Sequence, residues 1–190
     1  MRLPLATALT ALSLTALAPL PAAGGSSWEH DLGPALEKAQ REGKDVLVDF
    51  TGSDWCKYCI QLNKEVWSQP EFDEYATEQL VLVELDFPKA GGKVWKAMSP
   101  ELRERNQQWH DQYGVRQQFP SVYLMTPEGV AYARTGYQRG GAEAYNRHLE
   151  EIRNGDERQK VGEMLRLYAA DPDNEQGDRL AVAYQLYNRA

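Results

Sequence analysis

Two apolar runs, "VLVDF" (46–50) and "LVLVELDF" (80–87), constrain this chain more than anything else in it. Each is too short and too rich in branched aliphatic residues for a buried helix, and each reads as a strand covered on both faces. The residues between them have helical spacing. From Cys56 to about Trp67, Cys59, Ile60 and Val66 fall near one face, and "SQPE" restarts a helix with Ser68 as cap and Glu71 as its capping-box partner. Strand, helix, strand is the beginning of a parallel sheet.

The flanking stretches complete an α/β pattern. "LGPALEKAQREGK" places Leu32, Ala35, Leu36 and Ala39 at helical spacing, with Asp31 as N-cap and Gly43 as stop. After the second strand, "PKAGGK" reads as a loop. "SPELRERNQQWHDQYG" reads as a helix with Ser99 as cap, Pro100 at its first position and Gly114 past its end; Leu102, Asn106, Trp109 and Tyr113 share a face. "SVYLM" and "VAYART", joined by "TPEG", form a β-hairpin by composition, and Ala142 to Arg153 is a further helix. A βαβ part followed by ββα predicts a central mixed sheet flanked by helices. Two tail stripes follow, Val161/Met164/Leu165/Tyr168 and Leu180/Ala183/Tyr184/Tyr187, both at amphipathic helical spacing. They predict a helical extension over 155–190 that serves packing or a partner rather than catalysis.

The N-terminus is of another kind. "MRLPLATALTALSLTALAPLPAAGG" has a basic Arg2, an apolar stretch from Leu5 to Ala18, then Pro19 and small residues, the layout of a secretory signal peptide over 1–24 with cleavage within 22–25. Its apolar stretch is shorter than the ~20 residues a membrane span needs. Periplasmic or secreted localisation follows, without membrane insertion once the leader is removed. The net charge of −7 over 190 residues gives no basic face for nucleic acid.

Export places the two cysteines, Cys56 and Cys59 in "DWCKYC", in an oxidising compartment. Cys56 lies where a strand passes into a helix, and the unpaired N–H groups of that helix favour a thiolate. Lys57 adds a positive charge beside the pair. Cys59, one turn on, lies deeper and can close a disulfide with Cys56. A zinc site needs about four ligands, and His30, His110 and His148 are not at ligand spacing, so no metal is expected. A structural disulfide across one helical turn closes too small a loop to stabilise much. Asp49, inside the apolar strand, is a proton acceptor for the deeper thiol if buried, and an edge residue if not. Pro120, at the entrance of "SVYLM", is either a cis bend or an ordinary loop proline. His110 and His148 read as helix-surface residues, Trp67 and Trp109 as packing, and Trp95 as a substrate-facing loop residue.

"VLVDFTGSDWCKYC", "LVLVELDF" and "YGVRQQFPSVYLMTPEGVAYARTGY" together resemble the thioredoxin family, and more narrowly its exported bacterial thiol–disulfide oxidoreductases with "GSDWCxxC" and "ELDFP". The resemblance covers about Trp28 to Arg153 and implies a thioredoxin fold over 25–154. It implies Cys56 as nucleophile and Cys59 as resolving thiol of a redox-active disulfide. It also implies Asp49 as the buried aspartate, and Trp55, Phe119 and a cis Pro120 as the substrate-binding rim. The chain departs from the family in its Lys57-Tyr58 dipeptide, in a loop before Trp55 one residue longer, and in carrying Leu82 about where thioredoxins place a lysine near the buried aspartate. The function implied is disulfide exchange with protein thiols, without a cofactor, with a membrane thiol partner as electron donor if the role is reductive. The competing readings are a non-catalytic binding or chaperone module on the same fold, and a copper or haem-thiol handling protein.

Overall fold

In the computed structural model, residues 27–115 and 118–170 are described, with side chains through 166. The leader stretch, the second tail stripe and the Tyr168 side chain lie outside the described residues. The elements run β1 (Trp28–Glu29), α1 (Leu32–Glu42), β2 (Asp45–Thr51), α2 (Lys57–Leu62), a π-helical turn (Asn63–Trp67), α3 (Pro70–Gln79) and β3 (Leu80–Asp86). Then come α4 (Lys93–Ala97), α5 (Pro100–Gln112), β4 (Ser121–Met125), β5 (Ala131–Thr135), α6 (Gly141–Arg153) and α7 (Asp156–Ala170).

The strands form one mixed sheet in the order β1-β3-β2-β4-β5. β2 runs parallel to β3 and antiparallel to β4. Every residue of β2 is buried, the reason its sequence is an apolar run rather than an alternation. Its side chains still alternate between two cores. Leu47 faces a cluster with Leu62, Trp67, Phe72, Tyr145 and Val161. Val46, Val48 and Phe50 face a second, with Leu32, Ala39, Tyr113 and Tyr123. Helices therefore cover both faces.

The caps of α1 and α5 act as their residue types predict. Asp31 accepts the Gly33 N–H, Gly43 turns with φ 65°, and Ser99 accepts from Leu102 N. Three local expectations are corrected. The cap of α3 is Gln69, not Ser68, with Pro70 at its first position. Ser68 closes the π turn instead, and its hydroxyl donates to Asn63 Oδ1 at 2.7 Å. The segment after "PKAGG" is the short helix α4, and Trp95 on it lies under the Arg103 guanidinium, 4.0 Å from its ring centre. Ile60 faces solvent rather than the core.

At the end of the sheet away from the cysteines, α7 is fastened to β2. Asp45, buried, accepts from Arg158 Nη2 at 2.9 Å and Nε at 3.1 Å, from Tyr132 Oη at 2.9 Å and from Arg153 Nε at 3.5 Å. Val161 on the same helix is fully buried, and Met164 and Leu165 pack against the first cluster. No helix among the described residues is long and apolar enough to cross a membrane.

Candidate active site

The loop after β2 is a tight turn: the N–H groups of Trp55 and Cys56 both point to the Gly52 carbonyl, at 3.3 and 2.9 Å. A Cβ on Gly52 would lie 2.6 Å from the Trp55 ring, so any larger residue would push the indole from its place. Ser53 donates its N–H and hydroxyl to the Asp86 carboxylate at 2.9 and 2.6 Å, Asp54 accepts the Lys89 N–H at 2.8 Å, and Trp55 Nε1 donates to the Phe87 carbonyl at 2.7 Å. "GSDW" and "LDFPK", more than thirty residues apart, are thus one hydrogen-bonded unit. It holds the cysteine loop against the end of β3.

Cys56 caps α2, and its Sγ accepts the Cys59 N–H at 3.3 Å. The two cysteines are joined in a disulfide. Cys56 is 6% exposed and Cys59 2%, so in the oxidised form both are covered, the first slightly less. The Phe119–Pro120 peptide bond is cis. The Phe119 ring meets Trp55 edge-on at 5.8 Å and stacks on Phe87 at 5.4 Å. On the other flank Tyr58 stacks on Tyr137 at 5.7 Å, and Tyr137 Oη donates to Glu65 Oε2 at 2.7 Å. Trp55 and Tyr58, 51% and 54% exposed, leave an aromatic rim on either side of Cys56.

Asp49 is 2% exposed and lies on the sheet face that α2 and the π turn cover. Trp67 Nε1 donates to its Oδ2 at 2.9 Å, so Trp67 serves the site as well as the core. Burial pushes the Asp49 carboxyl up from 3.8 to about 7, the Trp67 hydrogen bond opposes that rise, and the charges of Glu84 and Asp86 add to it. A carboxyl near neutrality is suited to exchange a proton with a thiol at working pH. The β3 neighbour of Asp49 is Glu84, whereas Leu82 pairs with Leu47 inside the core. The residue that the register sets opposite the buried aspartate on β3 is therefore an acid, Glu84.

Two histidines also differ from expectation. His110 packs against the Phe87 ring at 5.4 Å, and its side chain is mostly covered. His148 shares a 2.8 Å hydrogen bond with the Thr135 hydroxyl. Ser53, Glu84, Asp86 and Tyr137 were not singled out by sequence, and Trp67 was read as packing alone. The quoted motifs "GSDW" and "ELDF" contain three of them, but only the folded register shows that they meet.

Replacing Asp49 tests its burial as well as its role. The folded carboxyl keeps its proton up to about pH 7, whereas an ordinary one loses it near 3.8. Native stability therefore falls as pH rises through that window, and the whole penalty is present above it. Asp49→Asn is expected to raise the urea midpoint clearly at pH 8 and to leave it nearly unchanged at pH 3.5, while slowing resolution of a mixed disulfide. An equal change at both pH values would show that the carboxyl is not held protonated.

The thioredoxin-like domain family matches residues 32–153. The "Disulfide bond reductase DsbH" of Chlamydia pneumoniae is 36% identical over 124 residues, covering 65% of this chain and 70% of that protein. The "Thioredoxin-related protein DsbJ" of the same organism is 30% identical over 134 residues, covering 70% of this chain but 37% of its own. A solved structure titled "DsbH Oxidoreductase" superposes with a TM-score of 0.61 at 32% identity, covering 75% of this chain and 94% of that one.

Proposed function

This chain belongs to the thioredoxin-like family, and from that premise we propose that it is an exported reductase of protein disulfides, working in the periplasm through Cys56 and Cys59. It is a thiol–disulfide oxidoreductase with the thioredoxin fold. The observation that carries the reductive direction is the 36% identity to a disulfide bond reductase. Export rests on the leader-like N-terminus.

In the reduced protein the Cys56 thiolate, with the Cys59 N–H directed at its sulfur, attacks a substrate disulfide. One substrate sulfur leaves as a thiol and the other becomes bound to Cys56. Cys59 then loses its proton toward Asp49 and attacks Cys56. The intramolecular disulfide closes and the second substrate thiolate is released. The aromatic rim of Trp55 and Phe119, with the cis Pro120 behind it, receives the chain around the substrate cysteine. Each turnover leaves the pair oxidised, so a dithiol donor reaching the periplasm from the membrane has to reduce it again.

The reduction potential of the Cys56–Cys59 pair, measured against glutathione alongside insulin reduction, tests this. A reductant is expected near about −270 mV, with insulin turnover; a value near about −120 mV would make the protein an oxidant. N-terminal sequencing of the exported protein should find a start within 22–26.

A further inference from the structure

We infer that Asp49 and Glu84 form one carboxyl pair that holds the resolving proton, with Glu84 acting through Asp49 as a positioning residue. The inference deepens the dithiol reading above and rests on it.

The placement follows from strand register. Asp49 and Glu84 are partners across the parallel β2–β3 ladder. Two residues earlier, Leu47 and Leu82 are partners and both belong to the cluster that contains Trp67; one residue earlier, Val48 and Val83 both belong to the opposite cluster. Side chains alternate along a strand, so Asp49 and Glu84 share the face of Leu47 and Leu82, on strands about 4.8 Å apart. Asp49 Oδ2 has its donor in Trp67, but Oδ1 is buried with no hydrogen-bond partner. A buried orphan acceptor is costly. Glu84 acts on Asp49 through its charge across the ladder, and two carboxyls that bear on each other in an interior do not both ionise readily.

The two members differ in access. Asp49 is sealed in, whereas the Glu84 side chain is 32% exposed. It lines a cavity of about 250 Å³ with His30, Asp86, Met98, Leu102 and Asn106. The pair therefore reaches from the interior behind α2 to a recess at the edge of β3 beyond its pairing with β1. The groups around it are few. Trp67 donates from the π turn, and the Tyr145 phenol of α6 lies within electrostatic reach of Asp49. On β3, Asp86 bears on both carboxyls but is itself held by Ser53. His30 Nδ1 is 3.9 Å from Glu84 Oε1, and Val122, the β4 partner of Asp49, carries no charge. Glu84 is pushed up by burial and by Asp86, with His30 opposing.

In the resolving step the pair is singly ionised, and the Cys59 proton passes to its charged member, Asp49. Its sulfur forms a bond to Cys56 as the bond from Cys56 to the substrate breaks. The electron pair of that bond leaves with the substrate thiolate, which takes up a proton returned from Glu84 through the recess. One proton and two electrons move from the dithiol to the substrate, so the step needs no further reactant.

The test is a carbon-13 NMR titration of the Asp49 carboxyl in the full oxidised chain, for the wild type and for Glu84→Gln. The wild type is expected to titrate in two steps. Glu84→Gln should collapse them to one, displaced to lower pH by about one unit, and Glu84→Asp should restore two. The acid limb of the resolution rate should move by the same amount. A one-step wild-type titration overturns the inference even if the variant does not fold, and so does an Asp49 titration that Glu84→Gln leaves in place. Wild-type insulin reduction is measured separately. If insulin is reduced while Asp49 titrates alone, only the pairing fails; if it is not reduced, the reductase reading itself fails.

Discussion

Cys56→Ser is expected to abolish insulin reduction, by on the order of a thousandfold or more, because the one thiol left at the site, Cys59, is 2% exposed and out of a substrate's reach. Cys59→Ser is expected to behave differently. It keeps the attacking sulfur and loses the resolving one, so turnover stops after the first step and Cys56 accumulates in mixed disulfides with its substrates. The asymmetry has a structural cause. Cys56 caps α2, with the Cys59 N–H 3.3 Å from its sulfur, and is flanked in sequence by the exposed Trp55 and, two residues on, Tyr58; Cys59, one turn further in, is the more covered of the two, 2% exposed against 6%. Alkylation of the reduced protein across pH should accordingly modify Cys56 first. Equal rates at the two thiols, or a Cys59→Ser variant that traps nothing, would reverse the assignment.

The second large effect is expected at the opposite end of the sheet. The family match ends at Arg153, yet Arg158 and Val161 on α7 are built into the domain. Arg158 forms a two-pronged ion pair with the buried Asp45. Arg158→Ala leaves that carboxylate with Arg153 and Tyr132 alone and is expected to cost on the order of 3 kcal/mol. A chain ended at Asn154 also loses Val161, Met164 and Leu165 from the core, about 5 kcal/mol or more in all. That is a large part of the ~5–15 kcal/mol by which a domain is stable. Urea denaturation reads both effects. The truncated chain should still reduce a small disulfide in proportion to its folded fraction, because α7 lies at the other end of β2 from Cys56. Loss of turnover from a truncated chain that keeps wild-type stability would put the tail in the active site.

Much of this was legible in the chain itself. β2 and β3 are buried on both faces, so their composition announces them without help from neighbours. Asp31, Gly43, Ser99 and Pro100 act within one turn of their own position, where residue type alone decides geometry. The hairpin from Ser121 to Thr135 is announced by its turn residues and by the β-forming composition of its two strands. The cysteine spacing and the strand ahead of it were likewise local, and they placed Cys56 at the start of a helix.

What remained hidden depends on contacts between distant segments. β1 is two residues long and is a strand only because β3 offers an edge to it. Ser68 has the right type for a cap, but the π turn before it takes both its N–H and its hydroxyl, and the cap passes to Gln69. His110 lies on a polar helix that reads as surface, yet the Phe87–Phe119 stack covers it.

The site divides in the same way. Sequence by itself determined that the two cysteines stand one helical turn apart after a strand, a spacing that lets them close a disulfide with each other. Only the tertiary structure decided the surroundings of that chemistry. The β2–β3 register put Glu84 rather than Leu82 beside Asp49, the π turn brought the Trp67 N–H onto the same carboxyl, and the end of β3 captured the cysteine loop through Asp86 and Phe87. The reason is physical: reactivity belongs to a side chain, but its proton affinity belongs to the charges and donors that packing brings around it, and these come from segments the chain joins only on folding.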